Sequence, residues 1–165
     1  MSVPLKIFFG SLIVLVIFNL WRTDFIFSSA SNAPKETVNF AKTEIKLGGN
    51  KLIVELAENK KQQERGLSYR QNLADQAGML FIFSRPGKPG FWLKDMNFPL
   101  DLVWIDADQN IVHLTKNLTP DTYPKTFSSP LPIKYVLEIK AGQADQLKLA
   151  IGQRLKFKYL NLFFF

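Results

Sequence analysis

The chain holds no cysteine and a single histidine, His113, among its 165 residues. The first absence removes disulfides, thiolate zinc sites, iron–sulfur clusters and cysteine nucleophiles. The second removes any histidine-rich metal centre and obliges a serine–histidine–acid triad, were there one, to use that imidazole. His113 stands in Ile111-Val112-His113-Leu114, the setting of a surface or hydrogen-bonded strand residue, and no Gly-x-Ser-x-Gly elbow accompanies it. The phosphate-cradling Gly-x-x-x-x-Gly-Lys and the dinucleotide glycine fingerprint are missing too. Asp106-Ala107-Asp108-Gln109-Asn110 opens like a calcium loop. Such a loop needs glycine sixth and glutamate twelfth, where this chain has Ile111 and Asn117, so the segment is expected to be a β-turn. No catalytic residue, metal or cofactor is assigned.

What is present starts with an uncharged N-terminal run. Residues 7 to 21 (IFFGSLIVLVIFNLW) are interrupted only by Gly10, Ser11 and Asn19, with Lys6 before them and Arg22 and Asp24 after. That asymmetry places the N-terminus in the cytoplasm and exports the rest, and the length suits a tilted membrane span. Residues 1–27 are therefore expected to form a transmembrane signal-anchor. Ser28-Ser29-Ala30 offers a small-x-small cleavage site, but far beyond the apolar core, so a cleaved, secreted or periplasmic form is the alternative. Residues 28–36 are small and polar with a proline and read as a linker. Residues 37–165 are left for one folded domain, enough for a real hydrophobic core.

Charge narrows the partners. The formal net charge is +7, and 21 basic residues face 14 acidic ones. The lysines are scattered, as on a solvated surface. An anionic partner such as lipid headgroups or wall polymers fits this surplus weakly. Nucleic acid is disfavoured, because neither an arginine-rich run nor a nucleic-acid motif occurs.

Within the domain, Val38, Phe40, Ile45 and Leu47 are strand-like and Gly48-Gly49-Asn50 turns the chain into Lys51–Ala57. There Leu52, Val54 and Leu56 alternate toward a core and Glu55 points away. Asn59 is placed to cap a short helix that Gly66 ends. Gly78–Phe83 reads as a strand buried on both faces, and Ser84–Gly90 as a loop. Further strands are expected at Phe91–Met96, Leu102–Asp106, Ile111–Lys116, Tyr135–Lys140 and Leu155–Leu160, with a helix at Gln143–Ala150. The loop from Asn117 to Pro132 carries four prolines. Many short strands with one or two small helices predict a compact α+β domain, mostly β and mostly antiparallel, either barrel-like or a sandwich.

The ordered strings GLSYR (66–70), GMLFIF (78–83), FWLKDM (91–96), PLDLVWID (99–106), YVLEI (135–139) with Ala141-Gly142, and IGQ (151–153) resemble the prokaryotic family called domain of unknown function 192. The resemblance spans Leu47 to Lys158. It implies a compact β-rich fold, usually exported, and no biochemical activity that transfers. The family's tryptophan segment reads Trp-Met-Lys-Asn-Thr before Pro-Leu-Asp. In this chain Asp95 stands for the asparagine and Met96 for the threonine, where a polar site would sit.

Candidate site residues follow from the strand reading. If Phe91–Met96 is a strand, Trp92, Lys94 and Met96 share one face and Phe91, Leu93 and Asp95 the other. Each face then mixes apolar groups with a charge, as a pocket wall would, with Trp92 stacking on a ligand and Lys94 supplying charge. The plain alternative is a core Trp92 beside a lysine that reaches water. Asp101 either accepts backbone N–H bonds at a turn or joins Asp95, Glu138 or Arg70 in a polar cleft. Glu138 shares a face with Val136 and must find a cation or donors, or its pKa rises. Arg70 or Lys94 is the expected partner. The candidate ligand-binding set is therefore Arg70, Trp92, Lys94, Asp95, Asp101 and Glu138. The function expected is a membrane-anchored extracytoplasmic binding module for a small ligand, a glycan or an envelope protein. A structural or assembly role is the alternative, and a carboxylate-dependent hydrolase comes third.

Overall fold

The computed structural model describes residues 37–157. The expected membrane segment 1–27, the linker 28–36 and the aromatic C-terminus lie outside the described residues. No helix among the described residues is long and apolar enough to cross a membrane.

Seven strands form one curled sheet: β1 (Lys42–Leu47), β2 (Asn50–Ala57), β3 (Ala77–Gly87), β4 (Leu100–Ile105), β5 (Ile111–Leu118), β6 (Ile133–Lys140) and β7 (Leu155–Phe157). They lie in the order β5-β4-β6-β3-β2-β1-β7. All neighbours are antiparallel except β2 and β3, which run parallel. A parallel pair needs a crossover. The chain between Ala57 and Ala77 supplies it through helix α1 (Lys60–Arg65). The outer strands meet at one end, where Asn110 bridges Arg154 and the Ile111 amide donates to the Gln153 carbonyl at 2.8 Å. The curl thus yields the barrel-like member of the two expected architectures, since a sandwich would need a second sheet.

Burial on both faces of the central strands gives the domain two apolar layers. Inside the curl lie Leu52, Val54 and Leu56 of β2, Leu80 and Ile82 of β3, Val103 and Ile105 of β4, and Tyr135, Leu137 and Ile139 of β6. The intervening residues Met79, Phe81, Leu102, Trp104 and Val136 face outward and are just as buried. What covers them is mostly irregular chain: Leu67 and Leu73 after α1, Phe91, Leu93 and Phe98 before β4, and Phe127 from the long loop after β5.

The local signals held where they were chemical. Asn59 accepts from the Gln62 amide at 3.0 Å while the Gln62 side chain accepts from the Asn59 amide, a reciprocal cap,. Gly48 and Gly49 turn β1 into β2 with φ of 57° and 84°, the left-handed region that favours glycine.

Four expectations are corrected. Phe91–Met96 is not a strand: only Phe91 makes a β-bridge, to Phe127, and Asp95 takes a left-handed φ of 57° that breaks any period of two. The Ser84–Gly90 loop is half strand, since β3 runs on to Gly87 and pairs there with Ile133 across an irregularity. The helix at Gln143–Ala150 shrinks to α2 (Gln143–Gln146), because Lys148 is left-handed and the Leu149 amide reaches back to the Ala144 carbonyl at 2.8 Å. Asp101 belongs to no cleft. It lies on the inner side of β4, fully buried, and its carboxylate accepts from the amides of Asn117 at 2.8 Å and Ala144 at 2.9 Å.

Asp101 therefore ties β4 to β5 and to the start of α2. Removing its carboxylate leaves two N–H groups unpaired, each costing about 1–3 kcal/mol where buried. Asp101→Ala is expected to lower stability by about 2–4 kcal/mol, read as a fall in the urea unfolding midpoint. An unchanged midpoint would show that the carboxylate does not hold these elements together.

Candidate functional site

The outward layer is incomplete at one place. Between α1, the segment Gly66-Leu67-Ser68 and the stretch from Pro89 to Met96 lies a cavity of about 190 Å³, half open to solvent, with Glu138 at its floor. Rings of Phe81, Phe83, Phe91 and Trp92 line the wall, with Met96 and Leu67 beside them. Phe91 is the hub, meeting Phe81, Trp104 and Phe83 edge-to-face at centroid distances of 4.9, 5.4 and 6.3 Å. Lys60, Gln63, Glu64 and Arg65 of α1 line the remaining side.

Polar side chains hold these irregular walls in place. Gln63 ties α1 to the sheet by donating to the Ile82 carbonyl at 2.9 Å. Gly66 closes the helix at φ 47°, where a Cβ would press on the Phe81 ring at 3.4 Å. Across the cavity the 68–70 segment is laced to the 94–97 turn. Ser68 Oγ donates to the Lys94 carbonyl at 2.9 Å, the Tyr69 amide to the Asp95 carbonyl at 2.7 Å, and Asn97 Nδ2 to the Arg70 carbonyl at 2.8 Å. Tyr69 Oη donates to the Asp95 carboxylate at 2.6 Å, and that negative group raises the Tyr69 pKa.

Glu138 is the chemically unusual residue. It is 6% exposed, and no hydrogen-bond donor among the described residues meets its carboxyl. Strand register explains the isolation. Glu55 of β2, Met79 of β3, Glu138 of β6 and Leu102 of β4 lie side by side on the outward face. Arg70 comes down over this row but commits both guanidinium nitrogens to Glu55, at 3.1 and 2.5 Å. Burial pushes the Glu138 pKa up to about 8, and the nearby Arg70 charge only partly offsets it. The same arginine, hydrogen-bonded to Glu55, holds that carboxyl below its ordinary value. Burial thus favours the neutral acid over the carboxylate at the cavity floor,.

The six candidate residues thus separate. Trp92, 53% exposed, and Glu138 line the cavity. Arg70 stands behind it and acts on Glu138 through charge alone. Lys94 and Asp95 are exposed on the adjoining turn, outside the lining, and Asp101 is on the opposite side of the sheet. The expected Arg70 or Lys94 pairing of Glu138 is corrected: Glu55 takes the arginine. Glu55, Phe81, Phe83, Phe91 and the α1 side chains were not among the candidates. Glu55 could have been found, being, like Glu138, a carboxylate inside a run of alternating apolar residues.

The sequence pattern of the family described as DUF192, uncharacterized ACR, matches residues 43–157. The chain belongs to this family. Among solved structures it is similar to a candidate transcription regulator of Sinorhizobium meliloti 1021, with 35% identity and a TM-score of 0.70 over 74% of this chain and 98% of that one. It is also similar to a protein of unknown function from Novosphingobium aromaticivorans DSM 12444, with 25% identity and a TM-score of 0.65 over 74% of this chain and 89% of that one. No curated protein matches. The DUF192 resemblance read from the motif strings is therefore correct, and the β-rich fold it implied is the one observed.

Linkage makes Glu138 measurable in this DUF192 domain. Folding raises its pKa from 4.5 to about 8, so the folded state keeps a proton that the unfolded chain gives up. Its stabilisation is full below the unfolded value and is lost as pH rises to about 8. Glu55 works oppositely and in a lower window, its stabilisation fading only as pH falls through its depressed pKa,. Glu138→Gln is expected to be more stable than wild type at pH 7, by on the order of 3 kcal/mol, and to lose the decline in stability between about pH 5 and 8. Denaturant midpoints across that range would check it. Parallel profiles for the two proteins would mean that Glu138 is ionised in the folded state.

Proposed function

We propose that this DUF192 domain is a binding module that seats a small, largely flat and apolar ligand in the cavity above Glu138, exported and held at the membrane by residues 1–27. One observation carries the reading: on a residue only 6% exposed, a carboxyl that makes no hydrogen bond to the described residues lines an open, ring-walled cavity. Placing such a group there without a protein partner costs free energy that a leucine would avoid. Pockets with apolar walls and one or two convergent polar groups are the usual form of small-molecule sites. Met96, where the family carries threonine, makes this wall more apolar still.

A carboxylate-dependent hydrolase is the second reading, favoured by Glu64 lining the same cavity. A raised-pKa acid facing a second carboxylate is the arrangement general acid–base chemistry uses. Glu64, however, sits 3.7 Å from Lys60 and is largely exposed, a poor setting for a base. The regulator description of the Sinorhizobium relative finds little support in this chain. The helices among the described residues are six and four residues long, too short to serve as a recognition helix in a major groove.

A thermal-shift screen of the full chain against sugars, wall fragments, nucleotides and lipid headgroups tests the binding reading. A ligand of the folded state stabilises it by about 2.7 kcal/mol at ~100-fold excess over Kd. The expected result is a shift from one class that Trp92→Ala abolishes while leaving the unliganded midpoint within about 1 kcal/mol, because half of the indole is already in water. No shift from any class would overturn the binding reading in favour of a structural or assembly role.

A further inference from the structure

The floor and the mouth of the cavity together restrict what could bind there. An ionised carboxyl in this position would need donors, and Arg70, the cation whose charge acts on it, is already held two-pronged by Glu55. The floor therefore presents a neutral carboxyl, one O–H donor beside one C=O acceptor. Its complement is an edge with one acceptor beside one N–H. The walls are the rings of Phe81, Phe83, Phe91 and Trp92, which favour stacking or edge contact with a flat π-system. The volume of about 190 Å³ equals roughly six water volumes at ~30 Å³ each, room for one substituted ring. At the mouth Lys60 and Arg65 outnumber Glu64, on a chain of net charge +7, and this field repels cations.

We propose that the ligand is a neutral planar amide, a lactam ring or an aryl carboxamide, whose adjacent C=O and N–H pair with the Glu138 carboxyl while its ring lies among Phe81, Phe91 and Trp92. This rests on the binding reading above and gives its site a chemical class. The rival class is an organic cation, which aromatic walls also attract and which would have to ionise Glu138 against its burial. The charged groups facing this carboxyl are Arg70, Glu55 across Met79 on β2, and Lys60, Glu64 and Arg65 of α1. Leu102, its neighbour on β4, adds none.

The test uses four single-ring probes on the full chain, kept in mild detergent for its apolar N-terminal run: benzamide, 2-pyridone, benzylamine and benzoate, with affinities from calorimetry. Benzamide or 2-pyridone is expected to bind at least ~10-fold more tightly than the two charged probes at pH 7. Which of the two wins separates an aryl carboxamide from a lactam such as a nucleobase edge. Amide affinity is expected to fall roughly tenfold between pH 7 and 9 as the floor ionises. Glu138→Gln still offers a donor beside an acceptor, so it should keep amide binding within about threefold and flatten the pH profile. Glu138→Leu should abolish binding while remaining folded by circular dichroism. Benzylamine binding best, tightening above pH 8 and vanishing in Glu138→Gln, would overturn the amide class and leave the binding site standing. No binding by any probe, with a hit in the broader ligand screen, would overturn the amide class alone; silence in both would remove the binding reading as well.

Discussion

A sheet whose central strands are apolar on both faces needs two covers, and this chain has only one sheet with which to make them. The curl supplies the first, folding β1, β2 and β7 around so that the sheet shields its own inner face. Nothing regular is left for the second. The outward faces of β3, β4 and β6 are covered by loops, and loops carry backbone groups that must be paired if they are to lie on an apolar layer. The side chains of Ser68 and Asn97 and the backbone amide of Tyr69 do that pairing between two loop segments, and Gln63 does it between α1 and β3. Where the lacing stops, the layer has a gap, and the cavity is that gap.

The charge arrangement beneath the gap follows from the same geometry. Strand pairing fixes Glu55 and Glu138 on one row, separated by Met79. One arginine descends on that row, and both terminal nitrogens of its fork donate to Glu55. Glu55 sits nearer the edge, with Lys42 also within 3.7 Å, so pairing there is reinforced and the pair is part-solvated. Glu138 sits deeper, where burial raises its pKa and the arginine's charge offsets that only in part. The two carboxyls shift in opposite directions because burial dominates at Glu138 while the arginine's hydrogen bonds dominate at Glu55. This polarity needs no metal and no water to explain it.

Legibility in the sequence tracked the range of the forces involved. The reciprocal Asn59–Gln62 cap, the Gly48-Gly49 turn, the Asp106–Asn110 turn and the alternation of Leu52, Val54 and Leu56 are local, and each was readable from neighbouring residues. So was the burial of Gly78–Phe83 on both faces, since an unbroken apolar run leaves no polar side. The plain reading of Asp101, a carboxylate bonding backbone amides, was also local in chemistry and is what the structure contains. Phe91–Met96 misled because its residues have strand propensity, while its conformation is dictated by the partner loop. Asp95 goes left-handed so that its carbonyl and carboxylate can hold Tyr69, a residue 26 positions away. Glu138 reads in the sequence as a carboxyl in need of a partner, but that Glu55 would take the arginine instead depended on which strand lay two places over, and no spacing in the sequence contains the order β6-β3-β2.

The two departures from the family's tryptophan segment acquire different meanings once placed. Position 95 is a turn residue whose left-handed φ both asparagine and aspartate tolerate,. Its side chain bonds Tyr69 outside the cavity, so exchanging the amide for a carboxylate changes how the wall is fastened and not what it presents. Position 96 is in the wall itself. A threonine there would offer a hydroxyl to anything bound, whereas Met96 offers a flexible, polarisable thioether that fills space against rings. The floor, meanwhile, is carried by Glu138 on a central strand whose neighbours on both sides fix its direction. A fold built this way can vary the shape and polarity of its walls by changing loop residues, at little risk to the sheet, while the buried carboxyl beneath stays where strand register puts it.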